Sequence, residues 1–148
     1  MSNCKNQRFE QILQRLDTLY SAGDLYRRSP TRFPIPGLDD KSWERFTSLV
    51  SFFRAYYSNA NRWKVVPFLI GPYDGRNWWG IITFIRKDVF YGNIDEALTI
   101  LIHEAQHDWI QFGADIPHSK PGYKWDELIG DGISACVCAL RVQAEHKT

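Results

Sequence analysis

Leu101-Ile102-His103-Glu104-Ala105-Gln106-His107-Asp108-Trp109 sets two imidazoles one helical turn apart, with a carboxylate directly after the first. Positions i and i+4 of an α-helix lie on one face. His103 and His107 therefore reach a single ion, and Glu104 leans toward a water on that ion. Two nitrogen ligands and a base in this order form the pattern of a zinc hydrolase helix. The competing reading is an amphipathic helix with two surface or half-buried imidazoles. A second segment favours the metal. Catalytic zinc takes three protein ligands and leaves its fourth position to water. Downstream stands Trp125-Asp126-Glu127-Leu128-Ile129-Gly130-Asp131-Gly132, in which Glu127 and Asp131 are again one turn apart. Glu127 is the candidate third ligand, supplied by a second helix. Asp131 is the candidate acceptor for the non-ligating nitrogen of a bound imidazole.

His103-Glu104-x-x-His107 followed by Glu127-x-x-x-Asp131 resembles the signature of the gluzincin metallopeptidases, the thermolysin-like group. The likeness spans 93–138. It implies an α+β, zincin-like fold: N-terminal helices, a small mixed or antiparallel sheet, then an HExxH helix and a C-terminal helix carrying the third ligand. It implies one zinc ion per chain on His103, His107 and Glu127, with Glu104 as general base and a peptide or protein as substrate. Asp131 would support His103. Asp126 stands where the family often has asparagine and would support His107. The short chain is similar to the single-domain minigluzincins. A weaker likeness is to cytosolic regulatory peptidases that cleave repressors. In the family the edge strand of the sheet binds substrate as an added strand, which makes Trp78, Trp79, Gly80 and Ile81 the candidate rim; the same residues also read as a core strand. Larger members carry a catalytic histidine or tyrosine on a further domain, for which these residues hold no counterpart. Tyr123 and His118 are the nearest candidates by chain position for a donor to the oxyanion.

At 148 residues the chain is read as one domain with its own core: a helical part over 1–60, a sheet over 61–92 and the metal-site helices over 93–148. The net charge of +1 and the lack of a dense basic run argue against nucleic acid as a partner. No run is long enough to span a membrane, and the polar first residues do not form a secretory signal. The expected compartment is the cytoplasm. Six tryptophans and nine phenylalanines point to a bulky core, or less commonly to a binding groove. Cys136 and Cys138 are turned about 200° from each other on a helix, so they read as small buried residues rather than a disulfide or metal pair. Cys4 reads as incidental, or else as a thiol that blocks the metal in a latent form.

Phe9, Ile12, Leu13, Leu16, Leu19 and Tyr20 recur at helical spacing and predict a helix from Arg8 to Ala22, stopped at Gly23. Pro34-Ile35-Pro36-Gly37 marks a connector. Asp39 or Asp40 caps a second helix whose apolar face is Trp43, Phe46, Leu49, Val50, Phe53 and Tyr57. Lys64 to Ile70 reads as a strand, with Pro67 favouring an edge. Gly71 to Asn77 reads as a loop, Trp78 to Ile85 as the strongest strand, and Asp88 to Tyr91 as a further short one. Asn93 and Glu96 form a capping box for the metal helix, which is expected to end at Gly113. A loop to Lys124 precedes the last helix, 125–144. There Gly130 and Gly132 are read as permitting close approach of the two metal-bearing helices, at a cost of about 1 kcal/mol each.

His118 competes with Glu127 as third ligand, but an unpaired loop histidine is more often surface. The histidine-rich zinc class needs glycine and histidine where Ile110 and Gly113 stand, and does not fit. Three other functions compete. One is a non-catalytic zinc-binding regulatory or interaction domain on the same scaffold. Another is a binding module marked by an exposed tryptophan patch. The third is zinc-dependent hydrolysis of a different amide or peptidoglycan substrate. Nickel or cobalt would suit the same donors.

Overall fold

The computed structural model describes residues 2–28, 34–69, 71, 74–78, 82–106 and 125–146. Helix α1 (Ser2–Arg28) is followed by α2 (Asp40–Tyr57), a 3-10 turn (Ala60–Arg62), β1 (Trp63–Val66), β2 (Gly75–Trp78), β3 (Ile82–Arg86), a one-turn α3 (Lys87–Phe90), α4 (Ile94–Ala105) and α5 (Trp125–His146). The class is α+β, mostly helical with one small sheet.

The helical periodicity is met: Ile12, Leu16 and Leu19 of α1 and Phe46, Val50 and Phe53 of α2 are buried. Asp39 is the cap of α2 and accepts from Ser42 N–H at 2.9 Å. Gly23 does not stop α1, as the sequence suggested. The helix runs on to Arg28 because Gly23 is a packing gap. A Cβ there would stand 2.8 Å from the Trp43 ring and 2.9 Å from Cys136 Sγ. Beyond it, Arg27 holds the next connector by donating to Leu38 O at 2.9 Å and pairing with Asp40.

The strand order is β1-β3-β2, with β1 parallel and β2 antiparallel to the central β3. The expected strand 78–85 is in fact divided. Trp78 ends β2, Ile82 opens β3, and the two pair across residues 79–81. The expected loop before it holds a strand instead. Gly75 opens β2 because the strand lies on α4, where a Cβ would stand 2.8 Å from Ile100 Cγ2. Pro67 falls just past the edge strand β1. Residues 88–91 are not a strand: 87–90 form α3. Val89 and Phe90 are adjacent and both buried, which alternating strand positions cannot offer to one core.

Phe9, Tyr57, Trp63 and Phe90 form an aromatic cluster, with Phe9 and Trp63 rings 4.5 Å apart and Trp63 and Phe90 rings 5.8 Å apart. Trp43 and Trp63 are both buried, so these two serve the core. Arg15 of α1 holds Asp95 at the start of α4 through two bonds of 2.8 and 3.0 Å. Arg8 donates to Phe90 O and Gly92 O at 2.8 and 2.7 Å. Among the described residues no helix is long and apolar enough to cross a membrane.

Candidate functional site

Helix α4 starts as its sequence requires: Asn93 accepts from Glu96 N–H at 3.0 Å. Ala97, Leu98, Leu101, Ile102 and Ala105 are all fully buried. His103 and Glu104 share the last turn of this apolar helix. His103 is half-buried, while Glu104 is only 6 % exposed. His103 Nε2 and Glu104 Oε1 are 3.7 Å apart, too far for a direct hydrogen bond. Gln106 closes the helix, donating its backbone N–H to His103 O at 3.1 Å in a tightened, 3-10-type bond.

Two other elements hold the Glu104 turn. Above it lies Gly75 of β2, where a Cβ would stand 2.8 Å from Ile100 Cγ2 and in ordinary contact, 3.4 Å, with Glu104 Cγ, so the glycine makes room for Ile100. Below it, the buried Tyr57 hydroxyl donates to Leu101 O at 2.8 Å. Burial pushes the Tyr57 phenol well above its ordinary range, opposed by a hydrogen bond with Thr83, and the charge of Glu104 acts in the same upward direction. Thr83 of β3 in turn donates to the Tyr56 hydroxyl at 3.2 Å.

The end of α4 and the start of α5 meet over one turn of α2. Gln106 Nε2 donates to Leu49 O at 3.5 Å and Ile102 O at 3.2 Å. One turn earlier on α2, the Phe46 ring lies against Gly132 of α5, where a Cβ would come within 2.2 Å of it. Gly132 thus serves approach to α2, not to α4 as the sequence reading had it. Gly130, also read as a close-approach position, faces open space, with nothing within 4 Å of a Cβ. Gln106 is buried, and its Oε1 has no hydrogen-bond partner among the described residues.

Of the residues selected from sequence, His103 and Glu104 lie together. His107, His118, Tyr123, Trp79, Gly80 and Ile81 fall outside the described residues. Asp126 and Glu127 occupy the first turn of α5 and Trp78 ends β2, but their side chains are also outside that set. Asp131, one turn on, is exposed. Among the described residues no three His, Cys, Asp or Glu side chains gather into a ligand set. Cys136 is buried and its thiol is pushed up to about 12 by that burial. Cys138 is exposed, contrary to expectation, because it faces the groove between α4 and α5.

Sequence reasoning missed Gly75, Tyr57 and Gln106 as neighbours of the site. Tyr57 had been placed on the apolar face of α2, where only its hydroxyl hinted at a buried acceptor. Gly75 carried no signal beyond turn composition. No family model, curated protein or solved structure matches this chain at a significant level.

Proposed function

We propose that the chain is a zinc-dependent metalloendopeptidase of zincin-like architecture. The observation that carries the reading is the meeting of the last turn of α4 with the first turns of α5 over Phe46 and Leu49. That meeting brings the segment bearing His103 and Glu104 to the segment bearing Glu127. A nitrogen donor and a carboxylate already face one space, His103 Nε2 lying 3.7 Å from Glu104 Oε1. His103, His107 and Glu127 would hold the ion, a nitrogen-rich set with one oxygen that suits zinc.

When bound, zinc supplies Lewis acidity that makes water acidic near pH 7. Glu104 takes the proton from the attacking water and returns it to the leaving amine. Its burial keeps bulk water from competing for that carboxylate. His118 and Tyr123 remain the candidate donors to the oxyanion. The sheet offers a place for the substrate backbone. Arg86 N–H donates to Asp74 O at 3.0 Å, so Arg76 and Trp78 are the next positions to pair with β3. Gly75 and Asn77 then direct their N–H and C=O groups away from β3, along the sheet edge beside Glu104. An extended peptide adds to such an edge.

The test is metal content by elemental mass spectrometry together with peptide-library cleavage. Wild type should carry about one zinc per chain, and Glu127→Ala should lose most of it. Glu104→Gln should keep the metal and lose at least about 100-fold in turnover. Wild type without metal after zinc loading would end the proposal. Zinc retained with no cleavage of any peptide would leave the alternative, a non-catalytic zinc-binding regulatory or interaction domain.

A further inference from the structure

Between α4 and α5 lies an open pocket of about 640 Å³. Ile100, Ile133 and Val137 give it an apolar lining, and Thr99, Ser134 and Cys138 add small polar groups. Three carboxylates, Asp74, Asp95 and Glu96, stand on its wall against one guanidinium, Arg141 of the opposite helix.

The pocket lies along the faces that carry the candidate ligands. Glu96, Ile100 and His103 follow one another at three- and four-residue steps on α4, as do Gly130, Ser134, Cys138 and Arg141 on α5. Ile100 is thus one turn before His103, and Gly130 one turn after Glu127. The pocket thus begins one turn from His103 on α4. From His103 to Glu96 is two turns of helix, about 10 Å. A long, straight side chain lying on Ile100 covers that span from a substrate backbone beside His103.

The charges are unequally committed. Asp95 is clamped by Arg15 through two bonds of 2.8 and 3.0 Å. Arg86 is spent mainly on Asp88, at 2.9 and 2.8 Å, and reaches Asp74 only at 3.6 Å. Glu96 has no cation within 4 Å among the described residues and feels the Arg86 charge only from farther off, while Arg141 has no carboxylate within that distance among them. Asp74 and Glu96, which share only a distant Arg86, therefore stand against one lining cation, Arg141, beside an apolar trough.

We propose that this pocket receives the side chain of a lysine or arginine flanking the cleaved bond, selected by Glu96 and Asp74. The four-carbon stem of lysine packs on Ile100, Ile133 and Val137, and its ammonium ends between the two carboxylates. This rests on the peptidase reading and names the substrate class for it.

The experiment compares peptides that differ at one position, lysine against norleucine and acetyl-lysine, which keep the stem and remove the charge. Each of the two residues next to the scissile bond is varied in turn. Zinc-loaded wild type should favour lysine by about tenfold at one of the two positions, less so at high salt. Asp74→Asn with Glu96→Gln should bring that ratio to about twofold or less while norleucine peptides are still cleaved. A Cβ at position 130 has nothing within 4 Å, so Gly130→Leu should shift the preference to small residues, with zinc content and circular dichroism unchanged. An equal preference for lysine and norleucine in wild type, or a preference that survives the double substitution, overturns the proposal. If wild type cleaves nothing, the peptidase reading falls and binding decides the pocket. Tighter anisotropy binding of the lysine peptide to zinc-loaded protein, lost in the double variant, sustains it, and equal affinities end it.

Discussion

Alanine at Gly132 and at Gly130 should move stability in opposite directions, although the two positions are two residues apart on α5. Both substitutions gain roughly 1 kcal/mol of helix propensity over glycine. At Gly130 nothing lies within 4 Å of the new methyl group, so that gain stands. At Gly132 the methyl group would meet three Phe46 ring atoms at 2.2, 2.6 and 2.7 Å. The ring has no easy retreat: Phe46 is 1 % exposed and its centroid is 5.8 Å from that of Trp43. Overpacking of a tight core costs about 1–3 kcal/mol, and three contacts below 3.0 Å place this case at the upper end. Gly132→Ala should therefore lose about 2 kcal/mol net, leaving about 3 kcal/mol between the variants. Urea unfolding with unchanged m-values measures this directly. In a thermal scan the gap should be about 6–12 °C. Adding Phe46→Leu to Gly132→Ala should recover part of the loss, since the two side chains share one space. If Gly132→Ala is as stable as wild type, α5 does not rest on Phe46. The meeting of α4 with α5 on which the proposed metal site rests would then fail as well.

Two further outcomes follow from buried polar groups. Tyr57→Phe removes the bond to Leu101 O and should cost about 1 kcal/mol by urea titration. Burial raises the Tyr57 phenol above its ordinary 10.0, so the unfolded chain ionises first and wild-type stability falls as pH rises past that value. The variant should show a shallower alkaline decline, and an identical slope would remove Tyr57 from the buried set. A thiol reagent at pH 8 should label two cysteines in the native protein and three in denaturant, because Cys136 is buried and pushed up to about 12. Three fast labels without denaturant would contradict the packing of Cys136 against Gly23.

What the sequence revealed and what it hid divide by the range of the interactions. Helices α2 and α4 were legible because their signals are local: Asp39 and Asn93 cap within three residues, and the apolar faces repeat at helical steps. The length of α1 was hidden because Gly23 reads locally as a stop. It is in fact space for Trp43 and Cys136, which arrive from two other helices. Val89 and Phe90 read as strand formers, but their joint burial selects a helical turn. Gly75 belongs to the same class as Gly23: its role exists only once Ile100 and Glu104 lie beside it.

The same division applies to the candidate site and bears on whether Glu104 is incidental. The motif was legible from spacing alone, whereas the burial of its carboxylate was not. Every other buried position in the second half of α4, from Leu98 to Ala105, is apolar. A carboxylate at 6 % exposure in that row costs desolvation that leucine or alanine would avoid. The sheet packs beside it: a Cβ on Gly75 would clash with Ile100 Cγ2 at 2.8 Å and would only touch Glu104 Cγ at 3.4 Å. A helix that only packed would not need the buried charge. That cost falls on the residue next to His103, where the proposed mechanism places its general base, and this favours the catalytic reading over chance occurrence of the motif. Replacing Glu104 with leucine should thus raise stability while ending turnover, a trade that a purely structural carboxylate would not show.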